Sequence, residues 1–517
     1  MTPKLPPPTS DDPTLPRREF ILDLAGLLAV GHAGLRLPLP APAEVTERYA
    51  SPAALAPKDA VVGIQMGPHT ILDEGIERTL DLIQETAAIN VVMPYSHGYN
   101  NAFVKPLRTR ADHGVPLTDN AGRTFPLVWM TPHEQYYRNT TLRHQAVNAT
   151  HAHYTRDLFT ELREPTRQRG MKLYARVLEA GGSTIANFSK VVTRDINGTP
   201  TGTACWNHPE YIGFWADTME DMFTSYDLDG VQWGAERQGP LMNILSPWDS
   251  RPPTCFCEHC MARATKNGID AERARTGMRH LWELAQGKSR DTHADGVFAS
   301  YLRVVMRYPE ILSWEYQYRL SREEICEAMY KRVKSIKPTA DVGWHVDHQP
   351  SSWDMVYRAE MSYEEMAPHS DFIKPIVYHS VLGPRIRDWY LPRFQQTFLR
   401  EVSLEHSLEL YYDLFGYDKT VEPSLADLSK KGFSPDYVFR EVRRSVASAN
   451  GKTKIYAGVG FDVPGSPRDD PEAVYQATLK SFDAGAHGVV ASREYEEMRV
   501  DHLRAFGRAV REAIKRA

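Results

Sequence analysis

Past its first forty residues the chain has no window of about 18 consecutive apolar residues, the rough minimum for a membrane-spanning helix, which argues against a membrane-embedded enzyme. Nor is there an excess of one charge. The 66 acidic and 61 basic residues are spread along the whole length and leave a formal net charge of −5, so no electrostatic footprint for nucleic acid is present and the partner is expected to be small or neutral. A G-x-S-x-G elbow, a P-loop, an H-E-x-x-H motif and a G-x-G-x-x-G turn after a strand are all missing, which leaves serine-hydrolase, nucleotide-dependent and zinc-protease chemistry without support. There is no internal repeat, and no low-complexity segment apart from the proline-rich first forty residues. What is present is 42% hydrophobic, 25% charged and 10% aromatic residues over 517 positions, the balance of a soluble globular protein with a large core.

From residue 60 onward short β-rich runs alternate with longer amphipathic helical stretches, the signature of a parallel sheet built from βα units. Eight strands are expected: Val61–Gln65, Ile89–Tyr95, Lys172–Leu178, Asp229–Gly234, Asp341–Val346, Phe372–Tyr378, Lys454–Gly460 and Gly488–Ser492. Ile76, Leu80, Ile83 and Ala87 share one helical face, as do Leu503, Phe506, Val510 and Ile514 near the end of the chain. An eightfold count fits an α/β (β/α)₈ TIM barrel over residues 60–517 better than an open doubly wound sheet. Two connections exceed ordinary loop lengths, about 96–170 after the second strand and 237–340 after the fourth, and are read as insertions over the active-site face, the second with two or three helices.

The N-terminus differs from the rest. Arg17-Arg18-Glu19-Phe20-Ile21 precedes a modest apolar stretch, and Ala41-Pro42-Ala43 offers a small-x-small cleavage signal. Residues 1–43 resemble a twin-arginine export signal, with Asp23 inside the apolar stretch as a departure and 44–59 as a linker, which implies a periplasmic or secreted protein. A disordered tail with a chance arginine pair is the alternative. Cysteine is scarce and uneven: Cys205 and Cys326 stand alone, whereas Cys255-Phe256-Cys257-Glu258-His259-Cys260 is a tight cluster. Its C-x-C-x-x-C spacing suits structural zinc, one disulfide or plain buried thiols, and a four-ligand zinc site would need a further donor, His259 or a distant residue.

In a TIM barrel the catalytic groups sit at the carboxyl ends of the strands. Strand four is followed by Trp233-Gly234-Ala235-Glu236-Arg237, strand five by His345-Val346-Asp347-His348, strand seven by Phe461-Asp462 and strand eight by Arg493-Glu494-Tyr495, and strand six offers Lys374, Tyr378 and His379. Glycosidic cleavage needs an acid for the leaving oxygen and a second carboxylate as nucleophile or base. Glu236 is the expected acid/base, with Asp462, Asp347 and Glu494, in that order, as candidates for the second carboxylate. An ion pair with Arg237 or Arg493 is the structural alternative for these acids. Trp206, Trp233, Trp344 and Tyr378 offer flat apolar faces for sugar rings, while Asn207, Arg237, His345, His348, His379 and Arg493 could bond hydroxyls; packing is the alternative for each aromatic.

The segments Cys205-Trp206-Asn207-His208-Pro209-Glu210-Tyr211, Asp229 through Glu236, Cys255 through Cys260 and Ser492-Arg493-Glu494-Tyr495 together resemble the hypothetical glycosyl-hydrolase-like barrels of bacteria. The resemblance covers most of residues 60–517 and implies a carbohydrate-active barrel without a defined substrate. The arrangement also resembles the glycosidase clan with paired glutamates on strands four and seven, but Ala235-Glu236 stands where that clan has Asn-Glu and Asp462 where it has Glu. The main reading needs no cofactor, with structural zinc one of the three states open to the cysteine cluster. A rival reading takes Glu236, Asp347, His379 and Glu494 as ligands of Mn²⁺, Mg²⁺ or Zn²⁺ in a sugar isomerase or epimerase. A third is a barrel that binds glycans without turning them over.

Overall fold

The structure, a computed structural model, describes residues 59–97, 112–115, 128–145, 153, 156–179, 184–289, 293–347, 354–360, 362–461 and 470–516. The arginine pair of the expected export signal, His348 and Asp462 lie outside these residues. Eight parallel strands close a barrel in chain order: β1 (Val61–Met66), β2 (Val91–His97), β3 (Lys172–Leu178), β4 (Gly230–Gly234), β5 (Asp341–Val346), β6 (Phe372–Val377), β7 (Lys454–Val459) and β8 (Gly488–Ala491). Closure comes from β8 pairing with β1, Val61 opposite Gly488. All eight expected strands are present, their ends shifted by two residues at most.

Apart from the first residue of β1, β3, β5 and β7, every strand residue is buried. One strand face fills the lumen and the other packs on helices, so these strands read as nearly continuous apolar runs. Alternation of side chains then stacks the lumen in layers. Val91, Met93, Tyr174, Phe372, Tyr456 and Val490 form an apolar cluster separate from the main core, which is the lumen floor. Two residues further along the same strand faces come Tyr95, Arg176, Lys374 and Ser492, so the next layer is polar. Gly458 makes room in it: a Cβ there would lie 2.3 Å from Cε of Lys374.

The amphipathic helices form the outer ring as expected. The helix Ile76–Ala87 buries Leu80, Ile83 and Ala87, and the last helix, Val500–Arg516, buries Leu503, Phe506 and Val510. The two approach so closely that a Cβ on Gly507 would sit 2.1 Å from the Thr86 carbonyl oxygen. None of the helices among the described residues is long and apolar enough to cross a membrane.

The connections are richer than the sequence pattern suggests. Among the described residues between β4 and β5 there are five helices rather than two or three: Pro240–Leu245, Glu258–Lys266, Ala271–Ala285, Val297–Arg307 and Glu310–Ile336. Residues 179–229, between β3 and β4, carry the antiparallel pair Val192–Arg194 and Pro200–Ala204 before the helix Pro209–Ser225. Residues 378–453, between β6 and β7, form a third long excursion, with helices including His379–Arg385, Leu391–Gln396, Leu404–Phe415 and Pro435–Ala449.

Candidate active site

Alternation along β4 and β5 decides what reaches the mouth of the barrel. Gln232, Gly234 and Glu236 share one parity, and so do Gly343, His345 and Asp347. Gly234 lets β5 come close, since a Cβ there would lie 2.8 Å from that of His345. One ligand atom each of Glu236, His345 and Asp347 lies within 4.8 Å of the other two. The His345 Nε2 to Glu236 Oε1 distance is 3.2 Å. Glu236 keeps 28% of its side chain exposed, so it faces solvent from the rim, whereas His345 is buried.

Beneath this group lies a continuous polar network. Lys374 Nζ is 3.4 Å from His345 Nδ1 and donates to Ser492 Oγ. The Ser492 hydroxyl donates to Gln65 Oε1 at 2.7 Å and meets the Tyr378 hydroxyl, and Gln65 Nε2 donates to Gln232 Oε1 at 2.7 Å. Burial pushes His345 down to about 4, helped by the Lys374 charge, so its imidazole is neutral at neutral pH. Burial, with Arg176 nearby, also holds the Lys374 ammonium well below the usual lysine range.

Glu494, just beyond β8, belongs to a different group. Its Oε1 accepts from the Tyr95 hydroxyl at 2.7 Å and from Arg176 Nη1 at 3.1 Å, and the Arg176 guanidinium lies 4.0 Å over the Tyr95 ring. Its Oε2 is buried with no hydrogen-bond partner among the described residues. Burial raises its carboxyl to about 8, against the pull of Arg176. Burial thus favours the protonated form of Glu494 near neutral pH.

Several other candidates are held by the protein itself. Trp233 and Trp344 have outward parity and are buried, with ring centroids 6.3 Å apart, and Trp233 lies 6.1 Å from Trp215 of the helix Pro209–Ser225, so both pack the barrel wall. Trp206 is buried between the Arg237 guanidinium, 3.9 Å from its ring centre, and Tyr318, stacked at 4.8 Å. That arrangement gives it a packing role in place of an open sugar platform. Arg237 donates to Glu179 Oε1 at 2.6 Å, the same atom that accepts from Trp206 Nε1 and the Tyr211 hydroxyl, each at 2.8 Å. Arg237 thus pairs with Glu179, an acid the sequence reading did not single out, and not with Glu236. Arg493, at φ +81°, binds Glu497 through two nitrogens. Tyr378 and His379 are buried, Tyr378 with its hydroxyl in the Ser492 network. Of the four ligands of the isomerase reading, Glu236 and Asp347 come together, but with His345 in place of His379, and Glu494 is bound to Arg176 and Tyr95.

No family model matches this chain. No curated protein matches it either. Solved structures do resemble it at low identity. The β-galactosidase of the Antarctic haloarchaeon Halorubrum lacusprofundi has 12% identity and a TM-score of 0.46, over 88% of this chain and 58% of that one. The catalytic domain of the β-amylase of Paenibacillus polymyxa has 12% identity and a TM-score of 0.44, over 88% of this chain and 99% of that one. The chitinase ChiB of Flavobacterium johnsoniae has 8% identity and a TM-score of 0.36, over 88% of this chain and 94% of that one. At such identities the activity has to be argued from this chain's own site.

The cysteine cluster has four members and not three. The sulfurs of Cys205, Cys255, Cys257 and Cys260 all lie within 4.8 Å of one another, with Cys205 Sγ 3.4 Å from Cys257 and 3.5 Å from Cys260. All five cysteines, Cys326 included, are free and buried, so the cluster is not a disulfide. Asn207 belongs here, donating to Cys260 Sγ at 3.2 Å and accepting from Arg263. Hydrogen bonds from the other three thiols push Cys257 strongly towards the thiolate.

Proposed function

We propose that the protein is a glycoside hydrolase that cleaves O-glycosidic bonds of an oligo- or polysaccharide or glycoside, with Glu236 as acid/base and Asp347 as the second carboxylate. The observation that carries this reading is the approach of one carboxylate oxygen of each to within 4.8 Å at the carboxyl ends of β4 and β5. Inverting enzymes leave roughly 6.5–9.5 Å between their carboxyl groups for a water, and retaining enzymes about 5–5.5 Å. In the retaining form of that chemistry Glu236 protonates the leaving oxygen while Asp347 attacks the anomeric carbon, and Glu236 then deprotonates the water that releases the sugar. Neutral His345 bonds Glu236 and steadies it from below.

A second reading rests on the same three residues, because two carboxylates and an imidazole within 4.8 Å are also a donor set for a divalent cation. A panel of aryl glycosides and polysaccharides, assayed by product chromatography with and without a chelator, separates the two. Hydrolysis that survives chelation supports the carboxylate pair; activity lost to chelation and restored by Mn²⁺ or Mg²⁺, which a four-thiolate zinc site would not take up, supports the metal site.

We further propose that Cys205, Cys255, Cys257 and Cys260 hold a structural zinc ion. With Zn–S bonds of about 2.3 Å, tetrahedral sulfurs sit about 3.8 Å apart, close to the 3.4 and 3.5 Å separations of Cys205 from Cys257 and Cys260. Such a site would tie the β3–β4 connection, which carries Cys205, to the β4–β5 excursion, which carries the other three.

A further inference from the structure

Two tryptophans stand out on the surface: Trp248 is 46% and Trp389 44% exposed, although large aromatic side chains ordinarily find cover. They come from different excursions. Trp248 follows the helix Pro240–Leu245 beyond Glu236, and Trp389 lies in the turn Ile386–Tyr390 beyond β6. Their ring centroids are 6.1 Å apart at 66°, which makes a corner with two apolar walls. The two excursions are bonded to each other nearby in sequence, the Thr397 hydroxyl, next to the helix Leu391–Gln396, donating to the Leu245 carbonyl oxygen. Both walls therefore belong to segments that leave the barrel at the end carrying Glu236.

Two arginines attend these rings. The Arg393 guanidinium lies 3.5 Å from the centre of the Trp248 ring, and that of Arg385 5.5 Å from the centre of Trp389. Arginines elsewhere near the barrel, Arg163, Arg169 and Arg237 among them, are paired with carboxylates. Arg393 has no carboxylate partner among the described residues, and its Nη1 is buried without an acceptor. The nearby Asp388 is taken up by Arg387 and Ser429. Partial burial lowers the Arg393 pKa, as expected for a cation that lacks a counter-charge. A cation stacked on an exposed indole and left without an anion is complementary to a ligand with an apolar face and a carboxylate.

We propose that the Trp248–Trp389 corner, with Arg393, is a sugar-binding subsite for a uronic-acid unit of an acidic oligo- or polysaccharide. The pyranose C–H face stacks on an exposed indole and the sugar carboxylate pairs with the guanidinium. This rests on the reading of the protein as carbohydrate-active, and it narrows the substrate to acidic glycans.

The test measures binding and not turnover. The intact protein is run in native gels containing polygalacturonate, alginate or glucuronoxylan, and in gels containing methyl-esterified polygalacturonate, which keeps the sugar and loses the charge. The expected result is retardation by at least one acidic polymer, much weaker retardation by the ester, and an apparent dissociation constant raised about tenfold or more in Arg393→Gln, with Arg393→Lys partly retained. Trp248→Ala combined with Trp389→Ala should abolish retardation. Circular dichroism and thermal melting identify variants that have not folded, and Arg393→Lys, the mildest change, keeps the charge test available. No retardation by any acidic polymer, equal retardation by the ester, or unchanged binding by folded Arg393→Gln would overturn the proposal. Because retardation is read apart from turnover on the intact protein, retardation without hydrolysis of any of these polymers would fail the hydrolase reading and keep the subsite, whereas hydrolysis without retardation would overturn the subsite alone.

Discussion

Replacing Glu494 by Gln should change how stability depends on pH, with a sign and size that follow from its surroundings. The Glu494 carboxyl is raised from 4.5 to about 8 by burial, so between those values the folded protein holds a proton that the unfolded chain has released. Its contribution is fully present below the unfolded pKa, and is lost as pH rises through the folded one. At about 1.4 kcal/mol per pH unit, the loss between pH 4.5 and 8 is on the order of 5 kcal/mol. Gln keeps an oxygen to accept from Tyr95 and Arg176 and removes the titration. The variant should match the wild type near pH 5 and exceed it at pH 8 by a few kcal/mol, read as urea or thermal unfolding across that range. Glu315 and Asp354, each also raised to about 8 by burial, add to the slope of both proteins, so only the difference between the two curves reports on Glu494. Parallel curves, or a variant less stable at pH 8, would refute the assignment of Glu494 as a buried neutral acid.

Two further outcomes are expected. Purified protein should carry about one zinc per chain by atomic emission; Cys205→Ser and Cys257→Ser should each lose it and melt earlier, with turnover by the folded fraction kept. Stoichiometric zinc in Cys205→Ser would remove Cys205 from the site, and zinc-free wild type with reactive thiols would remove the site. Replacing Arg17 and Arg18 together by Lys should retain a reporter fusion in the cytoplasm, since the arginine pair is the element of residues 1–43 that a twin-arginine route reads; unchanged export would dismiss that route.

The barrel was legible because each strand is buried on both faces, so β-rich apolar runs such as Lys172–Leu178 and Asp341–Val346 stand out to the residue. The excursion 378–453 was not, because the helices of a barrel's outer ring and those of an excursion share one amphipathic period. Strand ends named Glu236, Asp347 and Glu494, but naming by position could not tell inward from outward. The parity that turns Gln232 and His345 into the lumen sends Trp233 and Trp344 to the wall, and the same period-two count along β3 would have found Arg176. Cys205 reads as standing alone because fifty residues of chain separate it from Cys255, and only folding brings their sulfurs together.

The functional reading stands or falls with Glu236. As a general acid it matters in proportion to how badly the leaving group needs a proton, so Glu236→Gln should lose on the order of 10²–10⁴-fold in kcat/KM on alkyl glycosides or natural oligosaccharides. An activated aryl glycoside leaves with little help, and its rate of glycosyl transfer to the enzyme should fall much less. Asp347→Asn, by contrast, removes the nucleophile and should suppress both substrates alike. The pattern is diagnostic because Glu236, His345 and Asp347 lie within one 4.8 Å group, where loss of a metal ligand would also abolish activity. A metal ligand has no reason to spare the activated substrate. Equal loss on the two substrates in Glu236→Gln would therefore transfer the site to the cation reading, and near-normal rates on both would take Glu236 out of the chemistry and leave the carboxylate pair without its acid.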